Sequence, residues 1–540
     1  MNRPTLSLIA VATALAAVTG VAALTAPEPA ADTTAATAAR RLPVERSSLL
    51  CPAPSTSDLA ETTYTSFTPA TDGTGDQGAA ELRPAGAKAP EKDPADREGT
   101  EDTEDTADED GNGEQDGTAG DGSGDETSDD GKSGDGKSGG KDAEPVLKPK
   151  EPGKPVTGDA TGGEAPALVG TAEGRFAPGW TLQQTTEVAA GTGRGLQGVA
   201  CTAPDTEFWF PGASTGTGRT DYVHLTNPDD SAAVVDIELY GKDGALETVV
   251  DDGITVQPHS TEPVLLSTLT EAEETDVTVH VVVRSGRVGA SVQALDDALG
   301  GDWLAASADP AGSLVLPGLP EDATAVRLVL FTPGDTDADL KVRLASPSGP
   351  ITPAGHETVQ VKAGMTTAVD LGEVTRGEAG SLLLTPADRS VPVVAAVRVL
   401  RGEGDDQESA FIPAARPVGA RATAAGNTAK GTVLAVTAPE GNAKVTVTAS
   451  AGSEGGSPES KTFTIKSGTT QHLDGPVPSG LKGTYALTVE PEPGAAPVYA
   501  SRTLTAPDDG VPAFTVQPLP DDRGLVAVPR AEEDLSVLQR

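Results

Sequence analysis

At 540 residues the chain is long enough for several domains rather than one. A formal net charge of −42 opposes binding to nucleic acid or to an anionic membrane surface, because like charges repel. Aromatic residues make up only 3% of the chain, so Val, Ala, Thr and Leu must build the cores, a mixture that suits pleated sheets.

The N-terminus sets the compartment. Met1-Asn2-Arg3 precedes an uncharged, mostly apolar run from Leu6 to Leu24. The run is long for a signal-peptide core and just long enough to span a bilayer, so residues 1–26 read as a signal peptide or a signal anchor. Only two cysteines occur, Cys51 and Cys201. Outside the membrane they are expected to form one bridge, the alternative being two unpaired buried thiols.

A first β module is expected over residues 45–204, opening on Ser48-Leu49-Leu50-Cys51-Pro52. Composition shifts abruptly at about residue 84 and recovers at about 165. Between Glu91 and Asp142 the chain is dominated by Asp, Glu, Gly, Ser and Thr. Such a stretch cannot bury enough apolar surface to offset the entropy of ordering it, which predicts a disordered acidic insertion. The Pro- and Lys-bearing piece Glu144 to Lys150 reads as an extended linker. Asp108-Glu109-Asp110-Gly111-Asn112-Gly113 matches the first six positions of a calcium loop. The twelfth position is Ala119 where a bidentate Glu is needed, so no metal site is assigned. Further on, Gly193-Arg194-Gly195-Leu196-Gln197-Gly198 spells a dinucleotide fingerprint, but it leads into a strand instead of opening a helix and reads as a turn.

Three more modules follow, at 205–310, 311–409 and 410–520, with a tail at 521–540. Short apolar strands ending in Pro recur at Phe208 to Pro211, Leu314 to Pro317 and Ala410 to Pro413. Each is followed by alternating segments across a turn, such as Val223 to Pro228 then Ala233 to Tyr240, the pattern of a hairpin. The expected fold is all-β: tandem immunoglobulin-like antiparallel β-sandwich modules. Cys51 then shares a repeat position with Phe210, Leu316 and Ile412, and Cys201 lies in the last strand of its module. A bridge between them would tie together a module that its insertion loosens.

Chemistry finds little support. Gly212-Ala213-Ser214-Thr215-Gly216 spells a nucleophile elbow, but a strand follows where a helix is needed. The five histidines are scattered. His224 and His280 alternate with apolar strand residues and are expected at the solvent face or rim of a sheet. Asp251-Asp252 and Asp296-Asp297 sit beside turns, where Asp bonds its own backbone. Trp180, Trp209 and Trp303 do not cluster and read as core or inter-module packing.

The Leu50-Cys51-Pro52-Ala53-Pro54 start, the acidic insertion and the Leu225-Thr226-Asn227-Pro228 block resemble secreted actinobacterial proteins built on a domain of unknown function. The resemblance implies an exported envelope protein with no assigned activity and no catalytic residues to carry over. The reading is therefore a non-catalytic cell-envelope scaffold or binding protein, with no cofactor and no metal. Its partner would be a cell-wall polymer or an envelope protein, and it would touch the membrane only through the N-terminal segment. The alternatives are an accessory subunit of an envelope glycan-assembling enzyme and a hydrolase with an unrecognised site.

Overall fold

The computed structural model describes residues 40–72, 74–75, 77–86, 144–250, 252–508 and 511–528. The N-terminal run, the calcium-like window and most of the acidic tract lie outside the described residues, as do positions 529–540. Among the described residues there is no α-helix, and no helix is long and apolar enough to cross a membrane.

Strand β1 (Arg40–Pro43) leads into a first sandwich of β2 (Arg46–Cys51), β3 (Ala60–Phe67), β4 (Ala80–Pro84), β5 (Val156–Thr161), β6 (Leu168–Glu173), β7 (Thr181–Val188) and β8 (Gly195–Ala200). Its sheets run β2-β6-β4 and β5-β3-β7-β8. The second contains β9 (Glu207–Ala213), β10 (Arg219–Asn227), β11 (Ala233–Gly241), the short β12 (Gly244–Ala245) and β13 (Ile254–Val256), β14 (Ser260–Leu265), β15 (Val277–Ser285), β16 (Gly289–Asp296) and β17 (Gly300–Leu304). These form β12-β11-β15-β9 and β14-β10-β16-β17, with β13 joining β11.

The third sandwich has β18 (Leu314–Leu319), β19 (Ala323–Phe331), β20 (Ala338–Ser346), β21 (Gly349–Ile351), β22 (Thr358–Val361), β23 (Thr366–Gly372), β24 (Gly380–Pro386), β25 (Val394–Arg401) and β26 (Glu408–Pro413). Its sheets are β18-β24-β20-β21, with β22 on β20, and β23-β19-β25-β26. The fourth has β27 (Ala422–Asn427), β28 (Thr432–Ala438), β29 (Ala443–Ala449), β30 (Gly455–Ser457), β31 (Glu459–Ile465), β32 (Thr469–Leu473), β33 (Ser479–Lys482), β34 (Tyr485–Pro491), β35 (Tyr499–Asp508) and β36 (Val511–Pro518). They pair as β27-β34-β29-β31 and β32-β28-β35-β36, with β30-β33 a small ribbon. The same topology thus repeats four times. The final strand β37 (Leu525–Val528) pairs antiparallel with β1.

Alternation builds each core. In β20, Ala338, Leu340, Val342 and Leu344 are buried while Asp339, Lys341 and Arg343 point out. The same inward set recurs in β11 and β29, as period-2 geometry requires.

The modules do not form an open string. Gln293 of β16 donates to the Pro54 carbonyl of the first sandwich at 3.0 Å. Thr366 of β23 donates to Thr278 of the second at 2.9 Å. Ser381 of β24 meets Thr437 of the fourth at 2.7 Å. Phe67 of β3 packs with Ala425 and Ala486 of the fourth. The chain of contacts returns to its start, and the last strands β8, β17, β26 and β36 meet at the centre. The β1–β37 ribbon closes the ring. Neighbouring cores also interlock: Phe411 of β26 lies in the second sandwich's core, and Phe514 and Val516 of β36 lie in the third's.

Three expectations change. Ala410 to Pro413 does not open the fourth module; it belongs to β26, which pairs with β25 and closes the third. The fourth opens on β27, so the residue equivalent to Cys51 is not Ile412. First and last strands both carry a short apolar run because both are covered by neighbours. The segments either side of the Asn227-Pro228 turn are not a hairpin. β10 pairs with β14 and β16, whereas β11 pairs with β13 and β15 in the facing sheet. The turn is an arch locked by Asn227, whose amide donates to the carbonyls of Ser231, Val256 and Gln257. Finally, residues 144–165 are not wholly linker. Leu147 is buried and bridges to Leu82, and β5 pairs with β3, so the first sandwich resumes well before residue 165.

Candidate functional site

The bridge between Cys51 and Cys201 is formed, with Cα atoms 4.5 Å apart across 150 residues of sequence. Its setting repeats around the ring. Just after the last strand of each sandwich the backbone bonds back to the first: Thr202 exchanges bonds with Leu50, Ser307 donates to Trp209, Ala415 to Val315 and Asp522 to Arg421. The sandwich that carries the insertion reinforces this closure covalently.

At the centre lies a residue that sequence reading missed. Asp302 of β17 is fully buried. Its carboxylate accepts from the Gly198 N–H of the first sandwich at 3.1 Å and from Thr515 of the fourth at 3.1 and 3.2 Å. It also accepts from the backbone N–H groups of Trp303 and of Phe411 in the third. One carboxylate therefore joins all four sandwiches. Burial pushes its pKa up to about 8, opposed by these hydrogen bonds. An Asp amid Gly300-Gly301-Asp302-Trp303-Leu304, with no turn after it, was the available signal. Two residues beyond Thr515 on β36, Gln517 holds a buried arginine of β35, Arg502. Arg502 is bonded through its guanidinium to Gln517, Asn427 and the Ala425 carbonyl, and burial lowers its pKa to about 9.

The glycines of the fingerprint serve this junction. A Cβ on Gly198 would lie 2.5 Å from Thr515 Cγ2 and 2.8 Å from Gln517 Nε2. Gly198→Ala is expected to cost about 1–3 kcal/mol by overpacking, read as a lower denaturant midpoint. An unchanged midpoint would show that the junction yields freely.

A cleft of about 700 Å³ lies at the seam where the fourth sandwich meets the first. One wall is the Glu490–Val498 turn between β34 and β35, and the other is Arg41, Leu525 and Ala527 of the β1–β37 ribbon. The floor is built by Arg421 and Asp522, bonded at 2.5 Å. Asp522 also accepts from Thr423 at 3.0 Å and from the Gly524 N–H at 3.0 Å. Burial raises its pKa, and Arg421, Thr423 and Gly524 oppose the rise. Asp521 accepts from the backbone of Ala420 and Arg523. Both carboxylates are thus committed to shaping the seam. The cleft offers an extended, proline-bordered surface with Arg41 at its lip, an arrangement suited to binding.

The residues singled out from sequence fall elsewhere. Ser214 is buried: its hydroxyl donates to the Glu274 carbonyl at 3.1 Å, and its N–H is held by Asp221 at 2.8 Å. Asp296 accepts from the N–H groups of Ala298 and Leu299, the turn role expected of it. Trp180 is core, and its indole donates to Ser66. Trp209 packs on Phe331 across the second and third sandwiches. Neither expected surface histidine is at the surface. His280 stacks on Trp209 and is clasped between Glu238 at 2.9 Å and Glu207 at 3.1 Å. His224 is buried against Trp303. Both lie on outer faces of a sheet that a neighbour covers. Among the described residues, no group of three His, Cys, Asp or Glu is placed to hold a metal ion.

Burial lowers the His224 pKa to about 4, with Gln293 opposing. A histidine depressed in the folded state contributes stability above its ordinary value near 6.5 and loses it as pH falls towards 4. The loss is on the order of 3 kcal/mol. His224→Gln should flatten the fall in stability between pH 6.5 and 4; identical pH profiles would refute this.

A family model matches residues 156–476, more than half of the chain. The chain belongs to the family of unknown function DUF5719. The matched DUF5719 region runs from β5 through β32, so it takes in Asp302 and the Thr278–Thr366 and Ser381–Thr437 contacts that join the second sandwich to the third and the third to the fourth. It leaves out β1 to β4, Cys51 and the closing strands of the fourth sandwich. No curated protein and no solved structure matches the chain.

Proposed function

We propose that this DUF5719 protein is an exported, non-catalytic scaffold of the cell envelope, and that its seam cleft binds a cell-wall polymer or an envelope protein. The buried Cys51–Cys201 disulfide carries the exported half of the reading, because such bridges persist in oxidising compartments. The binding half rests on the cleft, whose floor pair Arg421 and Asp522 is bonded to each other while its walls stay open. The locked Ser214 argues against the one nucleophile the sequence suggested.

The test is capture. Full-length protein carrying an affinity tag is expected to retain cell-wall polymer or a defined envelope protein, and Ala495→Trp, which fills the cleft wall, is expected to abolish that retention. Retention of neither class of partner would remove the binding reading. Retention unaffected by Ala495→Trp would move it away from the cleft. Ser214→Ala should leave any activity of the preparation unchanged.

A further inference from the structure

Among the described residues, three of the most exposed large apolar side chains lie within four positions of one another on β37: Leu525, Val526 and Val528. The pairing of β1 with β37 sorts them by face. Arg41 opposite Ala527 and Pro43 opposite Leu525 share the face that lines the cleft. Arg40 opposite Val528 and Leu42 opposite Val526 share the other. The outer face therefore presents apolar side chains rimmed by an exposed arginine. Exposed apolar clusters rimmed by polar groups mark contact surfaces.

We propose that this outer face of the β1–β37 ribbon rests on a lipid bilayer. The inference goes beyond the scaffold reading and does not depend on it. Two observations choose the bilayer as occupant. First, the apolar run Leu6 to Leu24 is separated from β1 by only the fifteen residues 25–39. Fully extended, they reach roughly 50 Å, so a run that stays in a membrane tethers the ribbon within that distance of it. Second, the face pairs apolar residues with a cation in a chain of net charge −42. Interfacial elements combine these features, burying apolar side chains at the headgroup boundary while arginine meets the phosphates. The carboxylates Glu490, Glu492, Asp521 and Asp522 line the cleft on the ribbon's opposite face, and repulsion from charges farther off is screened beyond about 8–10 Å.

The test uses the full chain in phosphatidylcholine vesicles containing a lipid with a headgroup quencher. Val526→Cys supplies a single free thiol for a polarity-sensitive fluorophore, since Cys51 and Cys201 are bonded to each other. Val249→Cys, on an exposed valine of the second sandwich, supplies the comparison. The label at position 526 is expected to shift to the blue and to be quenched several-fold more than the label at 249. Adding phosphatidylglycerol should increase that quenching, and Arg40→Glu should reverse the increase. Equal quenching at 526 and 249 would overturn the proposal. So would a label at 526 already shielded without vesicles, which would mean that protein covers the face.

Discussion

Replacing Cys51 and Cys201 together by alanine is expected to lower stability by about 2–5 kcal/mol. The bridge closes a loop of 150 residues, for which loop entropy alone gives about 5 kcal/mol. Strain and residual order in the unfolded chain reduce that figure, hence the range. The other three sandwiches indicate what remains without it. Each closes its first strand onto the segment after its last with a backbone hydrogen bond and no covalent link. The first sandwich alone must hold that closure across an insertion, and Cys51 is completely buried. Denaturant titration of the double variant, and of the native protein with and without reductant, should show a reduced midpoint in both. Coincident curves for the native and reduced protein would mean that the closure is sustained by the Leu50–Thr202 bonds alone.

Asp302→Ala is expected to cost roughly 3–6 kcal/mol. Removing the carboxylate leaves the N–H groups of Gly198, Trp303 and Phe411 buried without their acceptor, at about 1–3 kcal/mol each. Asp302→Asn keeps the shape but turns donors toward donors, so it should also destabilise. Because the carboxylate touches all four sandwiches, the variant should lose cooperativity as well as midpoint, unfolding in more than one step. A pH signature accompanies this. A carboxyl held near 8 contributes stability that is complete below its ordinary range and fades as pH rises toward 8. The gap between native protein and Asp302→Ala should therefore narrow with rising pH, the opposite of the trend for His224. A single cooperative transition with an unshifted midpoint would remove Asp302 from the centre of the account.

Much of the sandwich itself was legible. Alternation in Ala338 to Leu344 and in Ala233 to Leu239 specified half-buried strands, and the Cys51–Cys201 pairing followed from placing the two residues in first and last strands. Which strands pair was not legible. β10 and β11 each bury one face in the same core, and that pattern is identical for a hairpin and for an arch between sheets. The ring was hidden for a related reason. In β10 every residue from Val223 to Asn227 is buried, because the first sandwich covers the face that an isolated sandwich would leave wet. His224 consequently looked like a surface histidine. Asp302 was overlooked in the same way, in a chain with 81 acidic residues of which, among those described, only Asp221, Asp302 and Glu408 are buried. The cleft combines residues from both ends of the chain, a juxtaposition that no local pattern encodes.

The claim that four sandwiches close into one ring is tested most directly where the ends meet. Phe67 in the first sandwich packs against Ala425 and Ala486 in the fourth, more than 350 residues away in sequence. A photoreactive phenylalanine analogue at position 67 should, on illumination, give cross-links within single molecules to peptides containing Ala425 or Ala486. Adducts confined to residues 40–204, or found only between molecules, would contradict the ring and restore an open string of modules.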